Sequence, residues 1–118
     1  MRVLICGGRD LNVSSVRDYL IKNYSDKDIT EVIEGEATGA DLGARYFAIC
    51  KMIPFKPFPA NWAKYGKKAG PIRNKQMLDE GNPDYVIAFP GGKGTTNMIE
   101  QALLRGLRVE RITNYEEF

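Results

Sequence analysis

The feature that most constrains the fold is a glycine-rich turn between an apolar run and a helix-like stretch. The apolar run at 85–89 is followed by Pro90-Gly91-Gly92-Lys93-Gly94-Thr95-Thr96 and then by the helix-like residues 97–105. A buried strand, a glycine turn and a helix start in this order leave several backbone N–H groups without intrahelical partners. These donors and the positive end of the helix macrodipole suit an anion such as phosphate. The alternative is an ordinary tight turn, which glycine also permits, and the spacing is not that of a Walker A loop.

The same succession of strand, turn and helix recurs along the chain and predicts an α/β fold. Continuous apolar runs at 2–6 and 85–89 are typical of strands buried on both faces, and further strands are predicted at 29–34, 54–59 and 107–112. Helices are predicted from a cap at Asn12 or Ser14, from 40 to about 52, over 71–80 and over 97–105. We therefore expect a single domain over residues 1–118. Its predicted fold is a Rossmann-like three-layer sandwich with a mainly parallel sheet in the order 3-2-1-4-5.

Apolar side chains spaced by three and four predict the inward face of each helix. The third helix has only a thin apolar stripe, which indicates that much of it is solvated or lines a site. The predicted inward residues are Val13, Val16, Leu20 and Tyr24, then Ala40, Ala44, Phe47 and Ala48, then Ile72, Met77 and Leu78, and finally Met98, Ile99, Ala102 and Leu103.

Composition excludes several kinds of chemistry. The chain has no histidine, so Ser-His-Asp and Cys-His catalysis and histidine-containing zinc sites are impossible, and we expect no metal or cofactor. Cys6 and Cys50 lie in apolar runs, which predicts small buried side chains in a reducing compartment rather than a disulfide or a metal pair. Without a long apolar run or a leader pattern, the expected location is cytoplasmic, with no membrane partner. The net charge of +2 neither requires nor excludes nucleic acid.

The predicted strand order makes strands one and four neighbours, so the turns that follow them share one crevice. The turn at 7–10 should therefore face the turn at 91–96, and the turn at 35–41 should stand beside them. Ligands of open α/β sheets bind in this crevice.

Charged residues of these turns are candidates for binding and for chemistry. Arg9 suits a phosphate as a bidentate donor and Asp10 suits a ribose hydroxyl, although a surface ion pair is the alternative. Asp41 stands at a helix start, where either a capping role or a site role is expected. Glu36 has no helix to explain it. A carboxylate beside a glycosidic bond can stabilise an oxocarbenium-like transition state or activate water, so Glu36 and Asp41 are the candidate catalytic residues.

The stretch at 62–74 mixes aromatic rings with cations. Trp62 and Tyr65 can stack on a base, whereas the alternative is a solvated loop anchored by Trp62 in the core. Arg73 falls in the first turn of the predicted third helix, where a cation opposes the dipole unless an anion compensates. The full set of predicted ligand-binding residues is Gly7, Gly8, Arg9, Asp10, Gly35, Gly39, Asp41, Trp62, Tyr65, Arg73, Asn74, Pro90, Gly91, Gly92, Gly94, Thr95 and Thr96.

Three functions are consistent with this pattern. The first is binding of a nucleotide or nucleotide-sugar ligand, with phosphates on the turn at 91–96. The second is cleavage of an N-glycosidic bond, with Glu36, Asp41 or Asp10 as the acid or base. The third, and the least favoured, is binding of single-stranded nucleic acid by Lys64, Lys67, Lys68, Arg73 and Lys75 beside the two rings.

Four motifs resemble the YspA-like family of the SLOG superfamily. They are Gly-Gly-Arg-Asp at 7–10, Gly-x-x-x-Gly-Ala-Asp at 35–41, Asn-Trp-x-x-Tyr-Gly-x-x-Ala-Gly-Pro-x-Arg-Asn at 61–74 and Pro-Asp-x-Val-Ile-Ala-Phe-Pro-Gly-Gly-x-Gly-Thr at 83–95. The resemblance extends from Val3 to about Val109. It implies a Rossmann-like fold, a ligand crevice at the place predicted above and a homodimer.

The superfamily includes the LOG phosphoribohydrolases, the DNA-processing protein DprA and domains proposed to sense NAD-derived or other nucleotide ligands. The LOG enzymes have the same Pro-Gly-Gly-x-Gly-Thr turn and an arginine at the position of Arg73, but they carry a glutamate where this chain has Asn97. Because an amide cannot serve as a general base, the resemblance supports binding more firmly than hydrolysis.

Overall fold

A five-stranded parallel sheet with helices on both faces forms the computed structural model, which describes residues 1–116. The strand order β3-β2-β1-β4-β5 confirms the predicted fold and topology. The elements are β1 Arg2–Cys6, α1 Val13–Tyr24, β2 Glu31–Glu34, α2 Ala40–Cys50, β3 Phe55–Pro57, α3 Trp62–Tyr65, a 3₁₀ turn Gly66–Lys68, α4 Ala69–Gly81, β4 Tyr85–Ala88, α5 Lys93–Leu104 and β5 Arg108–Arg111. None of the helices in this part of the chain combines the length and apolarity that a bilayer crossing requires.

The central strand β1 is apolar throughout because it faces a core on each side. Val3 and Ile5 point into the core beneath α1 and α2, whereas Leu4 and Cys6 point into the core beneath α4 and α5. Alternate residues of a strand face opposite sides, so a strand covered on both sides needs apolar residues at every position. This burial fixes β1 at the centre of the sheet.

Helix starts differ from the predicted ones in two places. Helix α5 begins at Lys93 rather than at residue 97, so the glycine-rich turn extends into the first helical turn. Helix α4 begins at Ala69, which makes Pro71 its third residue and puts Arg73 in its second turn. Proline is tolerated there because N–H groups of a first turn have no intrahelical acceptor. The presumed connector before α4 instead forms the short helix α3 and the 3₁₀ turn.

The predicted inward faces are largely correct, with exceptions at helix ends. Cys50, predicted to be buried, is exposed because it is the last residue of α2 and lies on the solvent side, whereas Cys6 is buried. Leu103 is exposed near the end of α5, and Ile72 is exposed on α4. The other two predicted residues of α4, Met77 and Leu78, are buried, together with small and polar residues such as Ala69, Gly70 and Asn74.

The contact between α1 and α2 gives a stability prediction. A Cβ atom on Gly43 of α2 would lie 2.7 Å from the Cβ atom of Val16 and 3.0 Å from the carbonyl oxygen of Val13. We expect Gly43→Ala to lower the free energy of unfolding by about 1–3 kcal/mol, because overpacking forces the helices apart. The matched variant Gly94→Ala, in a helical position with open space around it, should be neutral or stabilising by up to about 1 kcal/mol. Urea denaturation of both variants checks this prediction, and an unchanged Gly43→Ala stability would contradict it.

Candidate functional site

Three turns meet at the carboxyl edge of the sheet. The N–H of Gly8, after β1, donates to the carbonyl oxygen of Pro90, after β4, at 2.8 Å. The carbonyl oxygen of Gly8 accepts from the N–H of Ala40, the first residue of α2, at 3.1 Å. Gly39 has φ +69°, and a Cβ atom on it would lie 2.2 Å from the Gly8 oxygen, so only glycine fits there. The turns that were predicted to face one another are therefore hydrogen-bonded neighbours.

A cleft of about 810 Å³ opens above these turns. Most predicted ligand-binding residues line it, and α4 and α5 form the wall on one side. The predicted residues in its lining are Gly7, Gly8, Arg9, Asp10, Gly35, Asp41, Trp62, Arg73, Asn74, Pro90, Gly91, Gly92, Gly94 and Thr95.

Four predicted residues lie outside the lining of this cleft. Gly39 is buried beneath the turn, Tyr65 is exposed on α3, and the hydroxyl of Thr96 donates to the Gly92 carbonyl oxygen at 3.2 Å. Glu36 lines a smaller adjoining cavity of about 340 Å³. Of the two candidate catalytic carboxylates, only that of Asp41 therefore faces the main cleft.

The N-terminus of α5 lies at the cleft. Its cap, Gly92, makes no side-chain hydrogen bond to the first turn, so the amides of that turn have no capping side chain. A Cβ atom on Gly91 would lie 2.2 Å from the Thr95 Oγ1 atom, so the turn can pass this close to the helix only with glycine. The amide of Asn74 donates to the Gly94 carbonyl oxygen at 3.1 Å, which ties this turn to α4.

Arg73 projects from α4 toward the turn after β2. Its Nη1 atom donates to the Gly35 carbonyl oxygen at 2.6 Å and to that of Phe58 at 3.4 Å, and its Nε atom donates to Asn74 Oδ1 at 3.2 Å. Its Nη2 atom has no hydrogen-bond acceptor within residues 1–116. Burial lowers the pKa of Arg73, with Asp41 acting in the opposite direction. The guanidinium is therefore fixed by protein acceptors through Nη1 and Nε, and Arg73 lines the cleft.

Asp41 is a buried carboxyl group at the start of α2. A Cβ atom added to Gly35 would lie 2.8 Å from Asp41 Oδ2 and 2.5 Å from Arg73 Nη1. Both side chains therefore lie next to Gly35. The N–H of Ala37 donates to Oδ2 at 3.3 Å. Burial raises the pKa of Asp41 to about 6, and the nearby Arg73 opposes this shift. A carboxyl group with this pKa can hold or release a proton near neutral pH.

Several lining residues were missed by sequence reasoning. Lys93 adds a cation, as does Lys67, which the sequence had suggested only for nucleic-acid binding. The apolar side chains of Leu11, Met77 and Met98 and the thiol of Cys6 form parts of the wall. Burial raises the pKa of Cys6 to about 12, so this thiol is not a ready nucleophile. Both lysines lie in glycine-containing segments of the sequence, so a role at a site could have been suspected. The apolar residues cannot be told from core residues by their spacing, so nothing in the sequence marked them as lining residues.

A buried ion pair was also missed. Glu34, the last residue of β2, has no exposed surface, and its Oε2 atom accepts from Arg45 Nε at 3.1 Å and Nη2 at 2.9 Å. Burial raises the pKa of Glu34, and Arg45 opposes this shift. A charged residue at the carboxyl end of a central strand was the available signal for it.

The fold and this cleft define a Rossmann-like α/β domain with a candidate ligand site at the carboxyl edge of its sheet. Gene 61 protein of Mycobacterium phage D29 is 35% identical to the chain over 85 residues, which are 66% of this chain and 67% of that protein. The chain therefore belongs to the same family as this phage protein.

No protein-family model matches the chain. Among solved structures, phosphoribosylglycinamide formyltransferase from Brucella melitensis resembles it with a TM-score of 0.45 and 13% identity, over 90% of this chain and 67% of that chain.

The carboxyl group of Asp41 gives a pH prediction. Its folded-state pKa of about 6 exceeds the unfolded value of 3.8, so the folded protein takes up a proton first as the pH falls. As the pH falls from 7 to 4, the free energy of unfolding of the wild type should therefore rise relative to that of Asp41→Asn, by up to about 3 kcal/mol. Denaturation curves across this pH range measure the difference. The exposed cleft residue Asp10 provides the control variant Asp10→Asn, and an identical pH profile for Asp41→Asn and wild type would refute the prediction.

Proposed function

We propose that the chain binds a nucleotide or nucleotide-sugar ligand in the cleft, with a phosphate group at the N-terminus of α5. The observation that carries this proposal is the arrangement of Arg9 and Arg73 around a cleft that also contains the uncapped first turn of α5. Backbone amides at a helix start and guanidinium groups are both preferred phosphate ligands. Here they face one opening.

The charge of the cleft favours an anionic ligand. Its lining contains four cationic side chains, Arg9, Lys67, Arg73 and Lys93, against the two carboxylates Asp10 and Asp41. Below its pKa of about 6, Asp41 is neutral, which increases the excess of positive charge. A phosphate therefore enters a positive field.

The base of the ligand has a platform in Trp62. This ring is 46% exposed, lines the cleft and has the guanidinium carbon of Arg9 4.8 Å from its centroid. Stacked guanidinium and indole groups present a flat surface on which a nucleobase can be placed. The four motifs shared with the YspA-like family support the same proposal, and with it membership of the SLOG superfamily and assembly as a homodimer.

Removing either arginine tests the phosphate site. We expect AMP, ADP-ribose, cyclic ADP-ribose or NAD to raise the thermal unfolding midpoint of the wild type. Arg9→Ala and Arg73→Ala should each weaken binding of the stabilising ligand about tenfold or more in calorimetry, because each loses a charge-assisted hydrogen bond. Arg9 makes no hydrogen bond through its side chain to residues 1–116, so its variant should fold even if Arg73→Ala is impaired.

Arg108→Ala is the matched control for these variants. Arg108 is exposed at the amino end of β5, on the opposite edge of the sheet from the cleft. The Arg108→Ala variant should bind the stabilising ligand with the same affinity as the wild type. The proposal fails if no phosphorylated ligand stabilises the protein, or if all three arginine variants bind alike.

A second candidate function is cleavage of an N-glycosidic bond, favoured by the position of Asp41 in the cleft. A buried carboxyl group with a pKa of about 6 can act as the general acid or base of such a reaction. The position at which LOG enzymes carry a glutamate holds Asn97, whose oxygen accepts from Asn74 at 3.2 Å and from Gln101 at 2.7 Å, outside the cleft lining. Any hydrolysis would therefore depend on Asp41 rather than on that position.

Release of free base from nucleoside monophosphates measures this activity. If the second function is correct, Asp41→Asn should lower the rate about 100-fold or more while ligand binding persists, because the amide cannot transfer the proton. Glu36→Gln should have a much smaller effect, since Glu36 lies outside the cleft. A flat time course for the wild type at high protein concentration would reject the hydrolytic function.

A further inference from the structure

A second cavity adjoins the cleft on the side of β2. It measures about 340 Å³ and shares five wall residues with the cleft, including Arg9, Trp62 and Arg73. Its remaining walls come from Glu36, Thr38 and residues 59–60. Because the two spaces share these walls, they lie next to each other, within the reach of one extended ligand.

The chemistry of the small cavity differs from that of the cleft. Its own polar residues are Glu36 and Thr38, and it shares the Trp62 ring with the cleft. A carboxylate repels a phosphate but accepts hydrogen bonds from neutral hydroxyl groups. An indole ring beside such an acceptor provides an apolar surface with a polar edge, as a sugar ring requires. These groups suit a polyhydroxylated moiety rather than a second phosphate.

The backbone of Glu36 is held in an unusual conformation. Its φ of +57° lies in the left-handed region, which residues other than glycine and asparagine seldom adopt. The N–H of Glu36 donates to the buried carboxylate of Glu34, which Arg45 holds in place. Arg45 also stands 3.8 Å from the Glu36 carboxylate itself. A buried ion pair thus fixes both the backbone and the side chain of an exposed residue at the cavity wall.

A second part of the cavity wall, at Thr38 and Arg9, is fixed as well. The hydroxyl of Thr38 donates to the Arg9 carbonyl oxygen at 3.0 Å, which joins the turn after β2 to the turn after β1. Arg9 in turn stacks on Trp62 at the boundary of the two cavities. The distance between the phosphate end and the Glu36 end is therefore set by hydrogen bonds of the protein.

We infer that the small cavity is a sugar subsite, in which Glu36 accepts hydrogen bonds from hydroxyl groups of a ribose-like moiety linked to the phosphate bound in the cleft. This inference rests on the proposed function and narrows its ligand class. The chain selects ligands that carry a sugar beyond their phosphates over simple nucleoside phosphates.

Calorimetry with AMP, ADP and ADP-ribose tests the subsite. ADP differs from ADP-ribose only in lacking the terminal ribose, so it controls for the added phosphate. We expect the wild type to bind ADP-ribose about tenfold more tightly than ADP, because hydrogen bonds to a charged acceptor add affinity of this size. Glu36→Gln should reduce ADP-ribose affinity about tenfold and leave AMP and ADP affinities unchanged. Glu80→Gln, which changes an exposed glutamate of α4 outside both cavities, should behave like the wild type.

The outcomes separate the subsite from the phosphate site. Equal binding of ADP and ADP-ribose, or an equal loss of both in Glu36→Gln, would overturn the sugar subsite and leave the proposed function intact. Failure of all three compounds to bind the wild type would overturn both. If Glu36→Gln has the same thermal unfolding midpoint as the wild type, its loss of affinity does not come from unfolding.

Discussion

The backbone of Gly8 joins the three turns on which the whole edge of the sheet depends. Its N–H binds the turn after β4 and its carbonyl oxygen binds the start of α2, at 2.8 and 3.1 Å. Both bonds require close approach of the backbones, which explains why a Cβ atom on Gly39 or Gly91 would collide with a neighbouring turn or with Thr95. The parallel pairing of β1 with β4 brings these turns to one side, and the hydrogen bonds then fix their separation. The cleft is the space left above them.

Around this edge the protein buries charge, which is unusual for so small a domain. Asp41 and Arg73 flank the turn after β2 from one side, and Glu34 with Arg45 holds it from the other. Buried ion pairs often add little to stability, because desolvation offsets their attraction. Here the Glu34–Arg45 pair holds the N–H of Glu36, and the carbonyl oxygens of Gly35 and Phe58 hold the Arg73 guanidinium. The position of these groups, rather than their contribution to stability, is therefore what connects them with the proposed ligand site.

The sequence predicted the fold well because its strongest signals were local. Continuous apolar runs, glycine turns and helical periodicity each depend on neighbours within a few residues, and topology rules reduced the possible strand orders to a few. The start of α5 was placed too late because Gly94 disfavours a helix intrinsically, and the packed helix overrides that preference. Cys50 was misjudged because an apolar neighbourhood in sequence does not say on which side of a helix end a residue lies.

By itself, the sequence determined the five strands, the four main helices and the order of the sheet, since these follow from local patterns and from the handedness of crossovers. It also predicted the edge at which a ligand site should form. Only the tertiary structure decided which side chains share a space. It put Asp41 in the cleft and Glu36 in the neighbouring cavity, although five positions separate them, because the left-handed backbone at Glu36 and the start of α2 turn the two carboxylates apart. It also decided that Arg73 reaches Gly35, a contact between residues 38 positions apart that no local pattern encodes.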